Sequence, residues 1–179
     1  KSAVKEEDRI MPEGIPFRSP LVFLHTAGIE ASGGASKKNP DEAGCVAWLV
    51  DMAVRAGFRV EDIGVISPYT AQVGEIRRNL PHEVRSSLLV SSVDAFQGSE
   101  REVIIVSLVR ANKRGEVGFV ADWRRLNVAL TRAKRLCVVL GNIPTWLQSE
   151  SSLIRDWLGF HKVGRADVSS YSGRYGAQA

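Results

Sequence analysis

Ile63-Gly64-Val65-Ile66-Ser67-Pro68-Tyr69-Thr70-Ala71-Gln72 opens as a β-rich run and closes as the start of a helix. Pro68 stops the run at Ser67, because proline brings no N–H to a ladder. Val73, Ile76 and Leu80 then recur at helical spacing until Pro81, so the unit is strand, turn, helix. The same grammar repeats on both sides. Leu21–His25, Leu88–Val93, Val103–Leu108 and Leu136–Leu140 are further apolar runs of strand length. A helix is expected from Pro40 to Gly57, with Asn39 as cap, Glu42 at capping-box spacing, and Ala43, Val46, Ala47, Val50, Ala53 and Val54 as its apolar stripe. Helical patterns also cover Asp122–Ala133 and about Thr145–Leu158, the latter with Trp146, Ile154, Trp157 and Leu158. Continuous apolar strands alternating with helices imply a mainly parallel β-sheet flanked by helices on both faces, a three-layer α/β domain.

That domain is expected to span residues 21–159. Residues 1–20 are polar and hold Pro12, Pro16 and Pro20, the composition of an entry segment. Residues 160–179 are Gly/Ser/Tyr-rich without apolar periodicity and are expected to be flexible. Thr26–Lys38, with Gly28, Gly33 and Gly34, reads as a loop. Lys1–Arg9 has neither an initiator Met nor an apolar signal core, so an excerpt of a longer protein is expected.

At 179 residues, 44% hydrophobic and 25% charged, the chain has a globular balance that excludes wholesale disorder and fibrous repeats. No apolar run approaches the roughly 18–20 residues of a membrane span, and an intracellular monomer is expected. The net charge of +4 is localised: residues 100–135 hold nine basic and four acidic side chains, and the rest of the chain is nearly neutral. Cys45 and Cys137 sit in apolar patterns without a CxxC or cysteine-histidine cluster, so two buried thiols and no metal site are expected.

Ligands of open parallel sheets bind beyond the carboxyl ends of the strands, so the residues after each strand are the first candidates. Three polar clusters, after Ile66, after Val93 and along Arg124–Arg135, are therefore expected to converge on one edge. Arg125 and Arg132, seven apart, differ by only about 20° around a helix and would share a face, suited either to a polyphosphate or simply to solvent. Gly98 allows close approach of backbone N–H groups to a phosphate. Glu100 fits ribose hydroxyls or a surface ion pair, Tyr69 fits a stacked base or the core, and Asn127 and Thr131 fit local backbone groups.

In order, Ile63–Gln72, Ser92-Val93-Asp94-Ala95-Phe96-Gln97-Gly98-Ser99-Glu100 and Arg124-Arg125-Leu126-Asn127-Val128-Ala129-Leu130-Thr131-Arg132-Ala133-Lys134 resemble helicase motifs IV, V and VI. They are similar to those of superfamily 1B helicases of the nonsense-mediated-decay type, the group of the immunoglobulin mu-binding helicase and senataxin. The resemblance covers about Phe17 to Leu158, including Gly28-Ile29-Glu30 and Asn39-Pro40-Asp41-Glu42-Ala43 before motif IV. It implies the second of two RecA-like domains with a P-loop NTPase-like fold, binding ATP in the cleft between them and stepping 5′ to 3′ along single-stranded RNA or DNA. The chain holds no GxxxxGK[ST] loop, and Asp41-Glu42 opens a helix instead of ending a strand. The loop lysine and the Mg²⁺ ligands are thus expected from the missing upstream domain, and the isolated chain is expected to be inactive.

By the resemblance, Gln97 and Gly98 lie at the nucleotide with Gly98 approaching the γ-phosphate. Glu100 meets the ribose, Arg132 is the arginine finger, and Arg125 supports that site or couples it to motif V. Ser67, Tyr69, Gln72 and Ser92 fall to strand contact or its support. Ser99 departs from the basic residue of many relatives, and Trp123 from a common proline. An inactive scaffold domain of the same fold is the alternative, disfavoured by Gln97, Gly98, Glu100 and Arg132 at nucleotide-facing spacings.

Overall fold

The computed structural model describes residues 11–96, 98–118, 123–152, 155–156 and 164–167. Strand β1 (Leu21–His25) leads to a small antiparallel hairpin, β2 (Ala31–Gly33) and β3 (Ser36–Lys38). Then follow α1 (Pro40–Arg55), β4 (Ile63–Ile66), α2 (Thr70–Asn79), the single turn α3 (His82–Arg85) and β5 (Leu89–Ser91). A 3-10 turn at Asp94–Phe96 precedes β6 (Arg101–Ser107), α4 (Trp123–Leu130), β7 (Ala133–Gly141), α5 (Ile143–Gln148) and β8 (Gly164–Asp167). The large sheet has the order β5-β4-β6-β7-β1-β8, with each neighbouring pair parallel. This is the RecA-like, P-loop NTPase-like α/β architecture.

Alternation along the strands creates the three layers. Val103 and Ile105 of β6, with Leu136, Val138 and Leu140 of β7, pack against Ala43, Val46, Leu49, Val50 and Ala53 of α1 and Ile76 of α2. The intervening Ile104, Val106, Cys137 and Val139 face the other way, toward Phe96, Ala129 of α4 and Trp146 of α5. Both cysteines are free, Cys137 buried and Cys45 half-buried.

Asn39 caps α1 as its position implies, its Oδ1 accepting the Glu42 N–H at 3.2 Å. The capping box is not completed, because the Asn39 N–H donates to Gln72 Oε1 (2.8 Å) and Glu42 turns inward. Four further differences stand out. The loop after β1 contains the β2–β3 hairpin, whose Gly33 has no room for a Cβ against Ala71 of α2. Helix α4 ends at Leu130, short of Ala133, because Thr131 Oγ1 takes the carbonyls of Asn127 and Val128 (2.9 and 3.1 Å) and Ala133 must extend to pair with Arg101. Helix α5 ends at Gln148, where Ser149 turns extended and its Oγ takes the Trp146 carbonyl (2.7 Å); Ile154, Trp157 and Leu158 lie outside the described residues. Within the expected flexible tail, Gly164–Asp167 forms β8 along the outer side of β1, a polar edge strand that alternation could not reveal.

Candidate functional sites at the two edges of the sheet

Since the strands run in one direction, their starts share one edge and their ends the other. The polar clusters do not converge. Gly98 and Glu100 immediately precede β6, and Thr131 and Arg132 immediately precede β7, so they stand at the amino edge. Ser67 and Ser92 follow β4 and β5 at the carboxyl edge. The clusters separate because the segment after β5 crosses the sheet before β6 begins. Phe96, fully buried, marks the crossing: its ring lies on Gly64 of β4, where a Cβ would run into Phe96 Cζ.

At the amino edge Gly98 is exposed with φ +82°, a left-handed conformation that costs any side-chain-bearing residue about 1–2 kcal/mol. Glu100 is exposed, and Gln97 lies outside the described residues. The Arg101 N–H donates to the Arg132 carbonyl (3.1 Å), fastening the entry of β6 to the exit of α4. Arg101 also lies over the Phe96 ring, 5.8 Å from its centroid. Arg132 is half-buried, with its Nε donating to the Val128 carbonyl at 3.1 Å. It occupies the turn after α4, not the helix, so it does not share a helical face with Arg125. Arg125 is exposed and 3.8 Å from Asp94, a loose, solvent-screened pair. Thr131 satisfies local carbonyls, as its position suggested.

The carboxyl edge is organised around buried polar groups. Ser67 is buried, its N–H donating to the Ser91 carbonyl (3.1 Å) and its Oγ accepting the Tyr69 N–H (3.4 Å). Tyr69 is buried in the α4-side core, with its hydroxyl accepting from Arg110 Nη1 at 3.4 Å. Gln72 is fully buried and grips both sides of the Asn39 peptide, while its Nε2 also donates to Ser107 Oγ (3.0 Å). Ser92 is half-buried, and its Oγ accepts the Ala95 N–H at 3.4 Å.

Sequence reasoning passed over the residues after β6, which tie this edge together. Val109 has φ +71°, a rare conformation for a β-branched residue. Both of its peptide groups are held from α1: its N–H donates to Glu42 Oε2 (2.9 Å), and its carbonyl accepts from Asn39 Nδ2 (3.2 Å). Glu42 also accepts from Ser107 Oγ (2.6 Å) and Thr26 Oγ1 (3.3 Å). Burial pushes the Glu42 carboxyl up to about 7, the hydrogen bonds from Ser107, Val109 and Thr26 opposing the rise. Beyond the bend, Glu30 Oε2 receives Arg110 Nε (2.9 Å), the Ala111 N–H (2.8 Å) and Asn112 Nδ2 (3.0 Å). Burial works to raise the Glu30 carboxyl, but these donors outweigh it and hold it below the ordinary range. A usable signal was present: Arg110 and Asn112 follow the apolar run Val103–Val106, the same kind of position that drew attention to Ser67 and Ser92.

Among the described residues, no group of three or more His, Cys, Asp or Glu side chains is placed to hold a metal ion. Nor is any described helix long and apolar enough to cross a membrane.

Residues 1–144 match the AAA domain family. The chain is 42% identical over 128 residues to the mouse DNA-binding protein SMUBP-2, covering 69% of this chain and 13% of that protein. It is 39% identical over 153 residues to the Drosophila melanogaster regulator of nonsense transcripts 1 homolog, covering 79% of this chain and 13% of that protein. To the human DNA replication ATP-dependent helicase/nuclease DNA2 it is 40% identical over 133 residues, covering 71% of this chain and 12% of that protein. The chain thus spans 12–13% of the length of these relatives.

Proposed function

Because this chain belongs to the AAA domain family, we propose that it is the second motor domain of an ATP-dependent superfamily 1B helicase acting on single-stranded RNA or DNA. The observation that carries the reading is the division of polar groups between opposite sheet edges. Gly98, Glu100 and Arg132 stand together at the amino edge, while the loops after β4, β5 and β6 form a braced platform at the carboxyl edge. One edge serves nucleotide and the other serves the strand.

The residues at the amino edge fit half of an ATP site. Gly98 leaves space for phosphate, Glu100 takes the ribose hydroxyls, and Arg132 meets the charge of the γ-phosphate. Bound ATP with Mg²⁺ supplies that phosphoryl group; the phosphate loop and the metal ligands come from the upstream RecA-like domain of the same polypeptide. The Val128 carbonyl engages only Nε of Arg132 and so orients the side chain, and a guanidinium's two terminal nitrogens are the donors suited to a phosphate. Arginine fingers in known cases are worth on the order of 10³–10⁵ in rate. Arg125, exposed on α4 and only loosely paired with Asp94, is available to support that site. At the opposite edge Ser67, Tyr69 and Gln72 act as support, since buried side chains have no free surface to offer; Ser92 is the partly open member of the set.

The test is ATP hydrolysis with and without single-stranded oligonucleotide by the full-length protein containing this chain, comparing wild type with Arg132→Ala. Strand-stimulated turnover that collapses in the variant while ATP binding survives is expected. Turnover indifferent to Arg132 would remove the finger, and no turnover in either protein would shift the reading to an inactive scaffold.

A further inference from the structure

Ile29 is exposed to 78%, well beyond Leu147 and Val54, the other exposed large apolar side chains among the described residues. An exposed isoleucine alone is ordinary. This one is distinguished by how firmly the backbone around it is held. On one side the Gly28 carbonyl accepts from buried Asn39 Nδ2 (3.2 Å), and Asp41 leaves no room for a Cβ at Gly28. On the other side the Glu30 N–H donates to the Ala111 carbonyl (3.3 Å), and the Glu30 carboxylate is fixed by Arg110, Ala111 and Asn112. A large apolar group is therefore presented to solvent from a rigid mount, which lowers the ordering cost of any contact it makes.

The mount stands at the carboxyl edge, next to the turn that follows Asn112. That turn exposes Lys113 and Arg114, and Arg114 is paired with Glu116 at 3.2 Å. An apolar surface beside an exposed cation matches the two halves of a nucleotide unit, the flat base or sugar face and the phosphate. We propose that Ile29 and Lys113 form a contact for single-stranded nucleic acid, Ile29 covering a base or sugar face and Lys113 meeting a backbone phosphate. This rests on the helicase reading and adds to it the direct contacts that buried Ser67, Tyr69 and Gln72 do not make.

The test uses the full-length protein containing this chain, with the photoreactive residue p-benzoylphenylalanine placed at Ile29 or, as a control, at Val54. Val54 lies near the end of α1, toward the amino edge. Each protein is irradiated with labelled oligo-dT or oligo-U, and wild-type binding is measured separately by fluorescence anisotropy. Photoadducts are expected at position 29 and not at position 54. Ile29→Asp is expected to keep the wild-type melting temperature and weaken binding by roughly tenfold. Lys113→Ala should lower the slope of log affinity against log salt by roughly 0.7, the value for one phosphate on a single strand. If the wild type binds but both variants match it and position 29 crosslinks no more than position 54, the contact is refuted while the helicase reading stands. An adduct from position 29 to polypeptide instead, with oligonucleotide affinity unchanged, overturns it in favour of a protein contact. A wild type that binds neither oligonucleotide overturns both.

Discussion

Replacing Glu42 with glutamine should remove most of this domain's stability change between pH 5 and pH 8. The carboxyl is fully buried beneath the carboxyl edge, and its pKa rises from 4.5 to about 7. Because the folded value lies above the unfolded one, the folded state holds the extra proton. The resulting stabilisation is complete below about pH 4.5, declines as pH rises, and is gone above about pH 7. For these two values the linkage amounts to about 2.5 kcal/mol between pH 5 and pH 8. Glutamine has the same shape and cannot titrate, and its oxygen can still receive the Val109 N–H and the Ser107 hydroxyl. The assay is urea denaturation of wild type and Glu42→Gln at unit intervals from pH 5 to pH 8. The quantity read is the change in their stability difference across that range, so the other titrating groups cancel. The wild type should lose about 2.5 kcal/mol relative to the variant. Two curves that stay parallel would show that the hydrogen bonds from Ser107, Val109 and Thr26 fully offset burial, and the reasoning would fail.

Gly98→Ala places a Cβ at φ +82° where no atom lies within 4 Å, so the loss of about 1–2 kcal/mol should be purely conformational and readable as a lowered melting temperature. Gly64→Ala drives a methyl into the Phe96 ring and should cost about 1–3 kcal/mol in urea; wild-type stability would mean that Phe96 does not rest on β4. Glu30→Ala leaves the Arg110 guanidinium, itself only 9% exposed, with only the distant Glu116 carboxylate (4.0 Å) and should cost about 3 kcal/mol, again measured by denaturation. Burial pushes both thiols up to about 12, so Cys45 and Cys137 should resist iodoacetamide at pH 8 in the native chain and react once it is unfolded in urea.

The sheet was largely legible because its strands are buried on both faces and therefore read as unbroken apolar runs. From Val103 to Val106 the side chains alternate between two cores, and both cores demand apolar residues. Leu21–His25 coincides with β1 residue for residue. Helix α1 was legible from Asn39 and Pro40, local chemistry that acts within one turn. What escaped was long-range. Whether Glu42 closes a capping box or dives beneath Val109 depends on Ser107, 65 positions away. The sorting of the motif residues onto two edges depends on where the segment after β5 crosses the sheet, and nothing near Gly98 records that path. For Tyr69 the residue type allowed either a stacked base or the core, and for Gln72 either strand contact or its support, because their partners Arg110 and Ser107 arrive from another strand's exit.

Strand β6 is flanked on both sides, by β4 and β7, through the centre of the sheet. Its seven residues, about 23 Å of extended chain, run from Arg101 at one edge to the Ser107–Val109 bend at the other. Such a strand behaves as a push-rod. Its one irregular joint lies at the Arg101 end: the ladder to β7 shifts register between Arg101 and Val103, and from Val103 onward both neighbouring strands hold it.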